Sequence, residues 1–138
     1  PGQPQSLVNV LVEDLISAKK RGVKVRVVLE KFEDRPSEST DATARLLMNN
    51  GIEVFQDDLT VTTHAKLVVV DDDKVVVGST NWTPSAIEDG NETSVLVTGG
   101  EVNKVYKDYV ETVLRTSSPY QFESKSIWDP PTSAPKTR

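Results

Sequence analysis

Hydrophobic and polar positions along this chain follow two different periods, and the places where the period changes predict its helices and strands. From Ser6 to Gly22, apolar side chains recur every three or four positions, and the segment ends in Lys-Lys-Arg. This spacing predicts an amphipathic helix with Ser6 as its N-cap, and the basic end suits the helix dipole. The next residues, VKVRVVLE from Val23, alternate and then become apolar, which predicts a strand.

A second helix and strand follow in the same order. The polar stretch FEDRPSES predicts a loop, and STDATARLLMNNG predicts a short helix with candidate caps from Ser39 to Asp41 and an Asn-Gly stop. IEVFQ, from Ile52, then predicts a strand. A helix between two strands is typical of a βαβ crossover, so these strands are expected to pair in parallel.

Two apolar, β-branched runs in the second half of the chain, HAKLVVV and KVVVGS, flank a polar turn at Asp71–Asp73. Such runs around a tight turn predict a β-hairpin, and because neither run alternates, we expect both faces of its sheet to be covered. A further strand, TSVLVTGG, and a closing helix, EVNKVYKDYVETVLR, complete the order. The apolar positions of that helix are expected to face the core; they are Val102, Val105, Tyr106, Tyr109, Val113 and Leu114.

Together these elements predict an α/β fold with a mixed β-sheet flanked by helices, in one domain over residues 1–116. Residues 117–138 are rich in Ser and Pro, with isolated aromatic side chains at Tyr120, Phe122 and Trp128. We expect this C-terminal tail to pack a few aromatic rings onto the domain and then to fray.

Composition removes several classes of chemistry. The chain has no cysteine, which excludes disulfides, thiolate metal sites and cysteine nucleophiles. Its formal net charge is -5, so a phosphate would have to be bound by a local site and not by a generally basic surface. No apolar run approaches the roughly 18–20 residues that cross a bilayer, so we expect a soluble protein of undetermined compartment.

Four polar side chains are expected to meet at one end of the hairpin. His64, the only histidine, and Lys66 stand where the first apolar run begins, and Ser79 and Asn81 leave the second run with the same spacing. Side chains at i and i+2 share a face of a strand, and a hairpin sets the start of one strand beside the end of the other. The imidazole, ammonium, hydroxyl and amide should therefore converge.

This group of side chains fits a phosphate. Lys66 supplies a point charge, while Ser79 and Asn81 supply neutral hydrogen-bond donors. His64 can attack phosphorus or carry a proton. A carboxylate is also needed to fix the tautomer of the imidazole, and Glu92, at the start of the next strand, is the candidate.

Other interpretations of the polar residues are weaker. Asp71 lies a full strand length from His64 and is interpreted as a turn or supporting residue before a catalytic one. One histidine and scattered carboxylates supply no cluster of metal ligands, so no metal or other cofactor is expected. A lone histidine is more often a surface group than a catalyst, so the hypothesis of catalysis depends on the spacing of the residues around it.

That spacing resembles a known motif. HAKLVVVD, from His64 to Asp71, matches H-x-K-x-x-x-x-D, and GSTN follows after a short strand. The pattern resembles the HKD motif of the phospholipase D superfamily, which includes phospholipases, cardiolipin synthases and small endonucleases. NETS is similar to the second acidic position of the superfamily, and the resemblance extends over roughly Leu7–Arg115.

The resemblance implies metal-independent hydrolysis of a phosphodiester through a covalent phosphohistidine. It implies that His64 is the nucleophile, that Glu92 orients it, and that the other motif residues serve the site; these are Lys66, Asp71, Ser79 and Asn81. The compact single-motif size and GSTNWT favour a nucleic acid substrate. A phospholipid substrate is the alternative, and so is a non-catalytic fragment of a two-motif enzyme.

The chain departs from the superfamily pattern in two ways. Members place one or two strands before the helix that begins here near Ser6, and this chain begins Pro1-Gly2 with Met48 as its only methionine. We therefore expect a processed form or an excised fragment. In addition, the chain has one HKD motif, whereas the active site of the superfamily uses two, so we expect a homodimer to complete the site.

Overall fold

The computed structural model describes residues 6–31 and 37–122, and every helix and strand expected in those ranges is present. Those ranges contain three helices, α1 (Leu7–Lys20), α2 (Glu38–Asn49) and α3 (Gly100–Thr116), and a short π-helical turn over Ser85–Asp89. The described residues also form six strands, β1 (Arg26–Leu29), β2 (Glu53–Gln56), β3 (Lys66–Val70), β4 (Lys74–Gly78), β5 (Ser94–Thr98) and β6 (Ser118–Pro119). Most of the polar loop expected after β1 lies outside the described residues.

The strands form two small sheets. In the first, β1 pairs in parallel with β2, and β6 pairs antiparallel with β2. In the second, β3, β4 and β5 form an antiparallel meander whose first turn is Asp71–Asp73. The parallel pair follows from the crossover through α2, because parallel neighbours need a connection long enough to return the chain. The predicted α/β class with mixed strand pairing and flanking helices is confirmed, with the strands divided over two sheets.

Helices α1 and α2 end in the same way, at the two glycines that mark their predicted stops. Gly22 and Gly51 have φ angles of 93° and 77°, in the region where a side chain is disfavoured. The amide that follows each glycine donates to a carbonyl five residues earlier, at 3.1 Å in both helices. This Schellman arrangement satisfies carbonyls that a helix end would leave unpaired, so the glycines set where both helices stop.

The starts of these helices differ from the prediction. Ser6 occupies the N-cap position of α1, but its hydroxyl donates to Glu88 Oε1 at 2.9 Å and caps no helix amide. The amide of Leu7 donates to the same carboxylate oxygen at 3.0 Å, so Glu88 caps α1 from the π-helical turn. Helix α2 begins earlier than expected, because Ser37 Oγ accepts a hydrogen bond from the Thr40 amide at 3.2 Å.

The core lies between α1, α2 and the first sheet. Its buried side chains are Val12, Ile16, Val25, Ala44, Leu47, Ile52, Val54 and Tyr120. Tyr120 belongs to the C-terminal segment; β6 brings it beside β2, and its hydroxyl donates to Asp41 Oδ1 at 2.7 Å. The first residues of that segment therefore pack on the domain, whereas Trp128 lies outside the described residues.

The second sheet is less covered than expected. Val75 of β4 is fully buried, but Val95 and Leu96 of β5 leave 54% and 62% of their surface exposed. The expectation that both faces of this sheet are covered is therefore wrong for the described residues. Apolar β-branched residues favour a strand through their fit to a pleated surface, so a run of them does not require neighbours on both faces.

Helix α3 presents a different face to the second sheet than expected. Val102, Val105 and Tyr109, expected inside, are exposed, whereas Asn103 is fully buried. The reason is a hydrogen bond from Asn103 Nδ2 to the carbonyl oxygen of Lys74 at 3.0 Å. A buried amide without a partner would be costly, so this bond favours a rotation of α3 that turns Asn103 inward and leaves those three side chains exposed, while Tyr106, Val113 and Leu114 stay partly buried.

Candidate active site

The strand ends that carry the candidate residues meet at one edge of the second sheet. Lys66 pairs with Gly78 across the hairpin, and Gly78 pairs with Ser94 across the next strand boundary. The segment with His64 therefore leads into β3 beside the point where the GSTN segment leaves β4. On the other side of β4, Glu92 precedes β5 by two residues. The meander thus sets all three segments next to one another.

Gly78 permits the close approach of β4 and β5 at this edge. A Cβ atom there would lie 2.6 Å from Ser94 Cα and closer still to the carbonyl oxygen of Thr93. Both obstacles are backbone atoms, so only glycine fits while β5 keeps its place. Directly after it, the amide of Ser79 donates to the Thr93 carbonyl oxygen at 3.0 Å, which extends the pairing one step beyond β4.

His64 and Lys66 are joined through the backbone. The Lys66 ammonium donates to the carbonyl oxygen of His64 at 2.9 Å. The His64 side chain is exposed, and its imidazole makes no hydrogen bond or ion pair with another residue of the described ranges. The ring is therefore accessible to a substrate, and the Lys66 ammonium is held close to the backbone of His64.

Ser79 and Glu92 form a second pair. The Ser79 hydroxyl donates to the Glu92 carboxylate and accepts a hydrogen bond from the Thr93 amide at 3.2 Å. The carboxylate thus fixes the direction of the hydroxyl proton. Among the described residues Glu92 forms no bond with the imidazole of His64, and its role of orienting that ring stays a prediction.

Asn81 and Asp71 stand apart from these pairs. Asn81 is exposed two residues beyond Ser79 and makes no hydrogen bond to another described residue. Asp71 lies in the turn at the opposite end of β3, with a φ of 51° that Asp tolerates better than most residues. Seven residues of extended chain rise roughly 20 Å, so the structure does not bring Asp71 to His64.

Asp57 is a residue that motif spacing does not reveal. It directly follows β2 and is 3% exposed. One carboxylate oxygen accepts a hydrogen bond from the Lys31 amide at 2.9 Å, and the other accepts from the Thr63 amide at 3.3 Å. The available signal was its position, because functional residues gather where parallel strands end at their carboxyl side.

The loop between Asp57 and Thr63 is held by its own polar groups and presents apolar side chains. Asp58 Oδ1 accepts hydrogen bonds from the hydroxyl and the amide of Thr60, at 2.7 and 2.8 Å. These two bonds hold the pKa of Asp58 below its usual range, and the bond from the Thr60 hydroxyl has the larger effect. Leu59 and Val61 are exposed on this loop, so the surface just before His64 in the chain is partly apolar.

The described ranges contain no group of three or more histidine and carboxylate side chains placed to hold a metal ion. Among the helices of those ranges, none combines the length and the apolar character needed to cross a membrane. Of the candidate site residues, Lys66 is the one with an ammonium group.

The sequence and the fold have known relatives. The profile of the family described as "Cardiolipin synthase, PLD-like domain" matches residues 4–114. Proteins named phospholipase D from Rickettsia prowazekii and Rickettsia conorii are 31% and 30% identical over 112 and 92 residues. These alignments cover 80% and 67% of this chain but 49% and 44% of the relatives, so the chain spans about half the length of the curated relatives it matches.

Two solved structures share the fold. Nuc from Salmonella typhimurium, described as a phospholipase D family member, gives a TM-score of 0.75 at 24% identity and covers 81% of this chain and 74% of that one. NucT from Helicobacter pylori gives a TM-score of 0.69 at 20% identity, with 81% and 75% covered. At these identities the likeness concerns the fold alone.

Proposed function

The chain belongs to the phospholipase D-like family, and on that premise we propose that it hydrolyses phosphodiesters without a metal, through a covalent phosphohistidine at His64. The observation that carries this proposal is the meeting of three strand ends, which sets HAK, GSTN and Glu92 at one edge of a sheet. A nucleophile, a cation and several neutral donors are thereby gathered, and these are the groups that a phosphate diester requires.

The reaction has two steps and needs two imidazoles. In the first, His64 attacks phosphorus, an N–P bond forms, and the P–O bond to the leaving group breaks as that oxygen takes a proton from a second imidazole. In the second, water gives a proton to that imidazole and attacks phosphorus, and the N–P bond breaks. One imidazole cannot be nucleophile and acid in the same step, so the acid is His64 of the partner subunit in a homodimer.

The openness of the site supports completion by a second copy. His64, Ser79 and Asn81 are exposed, as is Trp82 directly after them. Solvent screens charges at such a surface, so an isolated ammonium stabilises a phosphorane only weakly. A second copy facing the first would exclude water and add a second Lys66 charge, and both changes strengthen the electrostatic stabilisation of the transition state.

The motif residues have separate roles in this proposal. Lys66 and Asn81 hold the non-bridging phosphate oxygens, and Ser79 contributes a hydroxyl whose direction is set by Glu92. In the dimer Glu92 also orients the imidazole, which requires the carboxylate to divide its two oxygens between the hydroxyl and the ring. Asp71 supports the hairpin turn and takes no part in the chemistry.

Nucleic acid is the favoured substrate. The GSTNWT segment favours it, and the exposed Trp82 ring offers a surface on which a base could stack. The second candidate is a phospholipid, which the names of the Rickettsia relatives and the apolar Leu59 and Val61 favour. A third candidate is a non-catalytic fragment of a two-motif enzyme, which the half-length match to those relatives favours.

Hydrolysis of bis-p-nitrophenyl phosphate by the wild type and His64→Ala tests the proposed chemistry. Thr62→Ala is the matched control, because Thr62 is exposed two residues earlier in the same segment. We expect His64→Ala to be inactive and folded, and Thr62→Ala to match the wild type. Near-normal turnover by His64→Ala would reject the mechanism. Single-stranded DNA, RNA, duplex DNA and phosphatidyl vesicles, assayed in parallel, then separate the substrate classes.

A further inference from the structure

Asp57 lies where three separate pieces of the chain meet. Its own amide donates to the carbonyl oxygen of Leu29 at 3.2 Å, which continues the β1–β2 pairing by one step. Its carboxylate then accepts one hydrogen bond from the Lys31 amide, just after β1, and one from the Thr63 amide, just before His64. A single buried side chain therefore connects the end of the first sheet to the segment that leads into the second.

The two acceptor oxygens are both used, and each faces a backbone N–H. A carboxylate is the side chain that suits this place, because it offers two acceptors and no donor. Asp57 is almost fully buried and both hydrogen bonds are partly buried, so loss of either bond would leave an amide or an oxygen without its partner, which is unfavourable. The position of Thr63 is thus coupled to the end of β1.

The segment after Thr63 carries the catalytic candidates. His64 follows immediately, and its imidazole is held by no other described residue through a hydrogen bond. The only polar contact of the Lys66 ammonium in the described ranges is the carbonyl oxygen of His64. The location of both groups therefore depends on where the backbone at residues 63–64 is held.

We propose that Asp57 is a positioning residue for the phosphodiesterase site: its carboxylate fixes the backbone at Thr63 and thereby sets the placement of the His64 imidazole. This inference rests on the function proposed above for His64. Asp57 touches no reacting atom, and its contribution is to hold the nucleophile in the geometry for attack. Displacement of a reacting group by about 1 Å is sufficient to lower turnover about 100-fold.

Asp57→Asn and Asp58→Asn form a matched pair for the test. Asp57→Asn keeps the shape of the side chain but turns one acceptor into a donor that faces an amide, so one of the two bonds is lost. Asp58→Asn makes the same change of charge one residue away. Because Asp58 uses only Oδ1 for both of its hydrogen bonds, an amide oxygen can keep them.

Activity and two spectroscopic measurements then separate positioning from general stability. With bis-p-nitrophenyl phosphate, well below the melting temperatures, we expect Asp57→Asn to lower kcat about 10–100-fold with KM within about twofold. Hydrogen exchange of the Thr63 amide should accelerate. His64 is the only histidine, so its imidazole C–H signals are unique in the NMR spectrum, and they should shift or broaden. Asp58→Asn should leave all of these measurements unchanged.

The proposal is overturned if Asp57→Asn accelerates hydrogen exchange of the Thr63 amide while its kcat and its imidazole signals are the same as in Asp58→Asn. Asp57 would then have a structural role only. Should Asp57→Asn fail to fold, Asp57→Glu decides, because it keeps the charge and both acceptors but displaces them by one methylene; unchanged kcat and imidazole signals would again reject positioning. Failure of the proposed function is distinguishable, because it appears as activity that survives His64→Ala, whereas the exchange and NMR measurements need no turnover.

Discussion

Gly78→Ala is the substitution whose effect on the site can be worked out most directly from the structure. The added Cβ would lie 2.6 Å from Ser94 Cα, about 1 Å nearer than ordinary van der Waals contact, and nearer still to the Thr93 carbonyl oxygen. Because these are backbone atoms, the strain can be relieved only by a shift of β5. Overpacking of this kind costs about 1–3 kcal/mol.

The same shift would move the Ser79–Glu92 pair, because Glu92 lies two residues before β5 and Thr93 bonds to Ser79. A cost of about 2 kcal/mol lowers the melting temperature of a domain of this size by roughly 6–10 °C. We expect a loss of turnover of about 100-fold at a temperature where the variant is still folded. Calorimetry and the p-nitrophenyl diester assay measure the two effects.

Gly100→Ala is the control for this experiment. A Cβ there would lie 3.7 Å from the Asp72 carbonyl oxygen, an ordinary contact, and the residue begins α3. Alanine in a helix restricts the unfolded chain, so this variant should be unchanged or about 0.4–1 kcal/mol more stable, with full activity. If Gly78→Ala melted and turned over like Gly100→Ala, the claim that β5 approaches too closely for a side chain would be wrong.

Three further outcomes are expected. Lys66→Ala should lower kcat about 10²–10³-fold in the diester assay, because it removes charge stabilisation from the transition state; retained turnover would show that the ammonium does not reach the phosphate. Activity should survive EDTA, and loss with restoration by magnesium or zinc would indicate metal chemistry. The hydrogen bond from Arg26, which connects β1 to α3, holds the pKa of Glu111 below its usual range. The pair should therefore stabilise the fold above about pH 4.3, and this stabilisation should be lost as pH falls through the lowered pKa. In a plot of melting temperature against pH, Glu111→Gln should reduce the slope on the acid side, and an unchanged slope would contradict this linkage.

The order of α1 to α3 and β1 to β5, the parallel β1–β2 pair and the β3–β4 hairpin could be predicted from the sequence because these depend on local signals, whereas β6 and the division into two sheets were not predicted. The stops at Gly22 and Gly51, the βαβ crossover and the turn at Asp71–Asp73 each require a particular residue or a particular connection length. The fold class follows from their order. The meeting of the HAK and GSTN segments at one sheet edge likewise follows from the hairpin register.

Other features depend on partners that are distant in the chain, and periodicity does not contain them. Glu88 caps α1 from a turn 81 residues later in the chain, and Asn103 turns α3 through its bond to the Lys74 carbonyl oxygen, so part of the apolar stripe of that helix is exposed. Asp57 belongs to no motif, although its hydrogen bonds cross between the two sheets. Buried polar contacts between remote segments are set by tertiary packing, and the spacing of residues in a single sequence does not reveal which segments meet.

The central claim is that one histidine per chain serves a site shared by two chains. Sedimentation and diester hydrolysis measured over the same dilution series test it most directly, because the fraction of dimer and the specific activity are then known at each concentration. Specific activity should fall in proportion to the fraction of dimer as the dimer dissociates, and His64→Ala should be inactive at every concentration. A stable monomer with full specific activity at nanomolar concentration would contradict it.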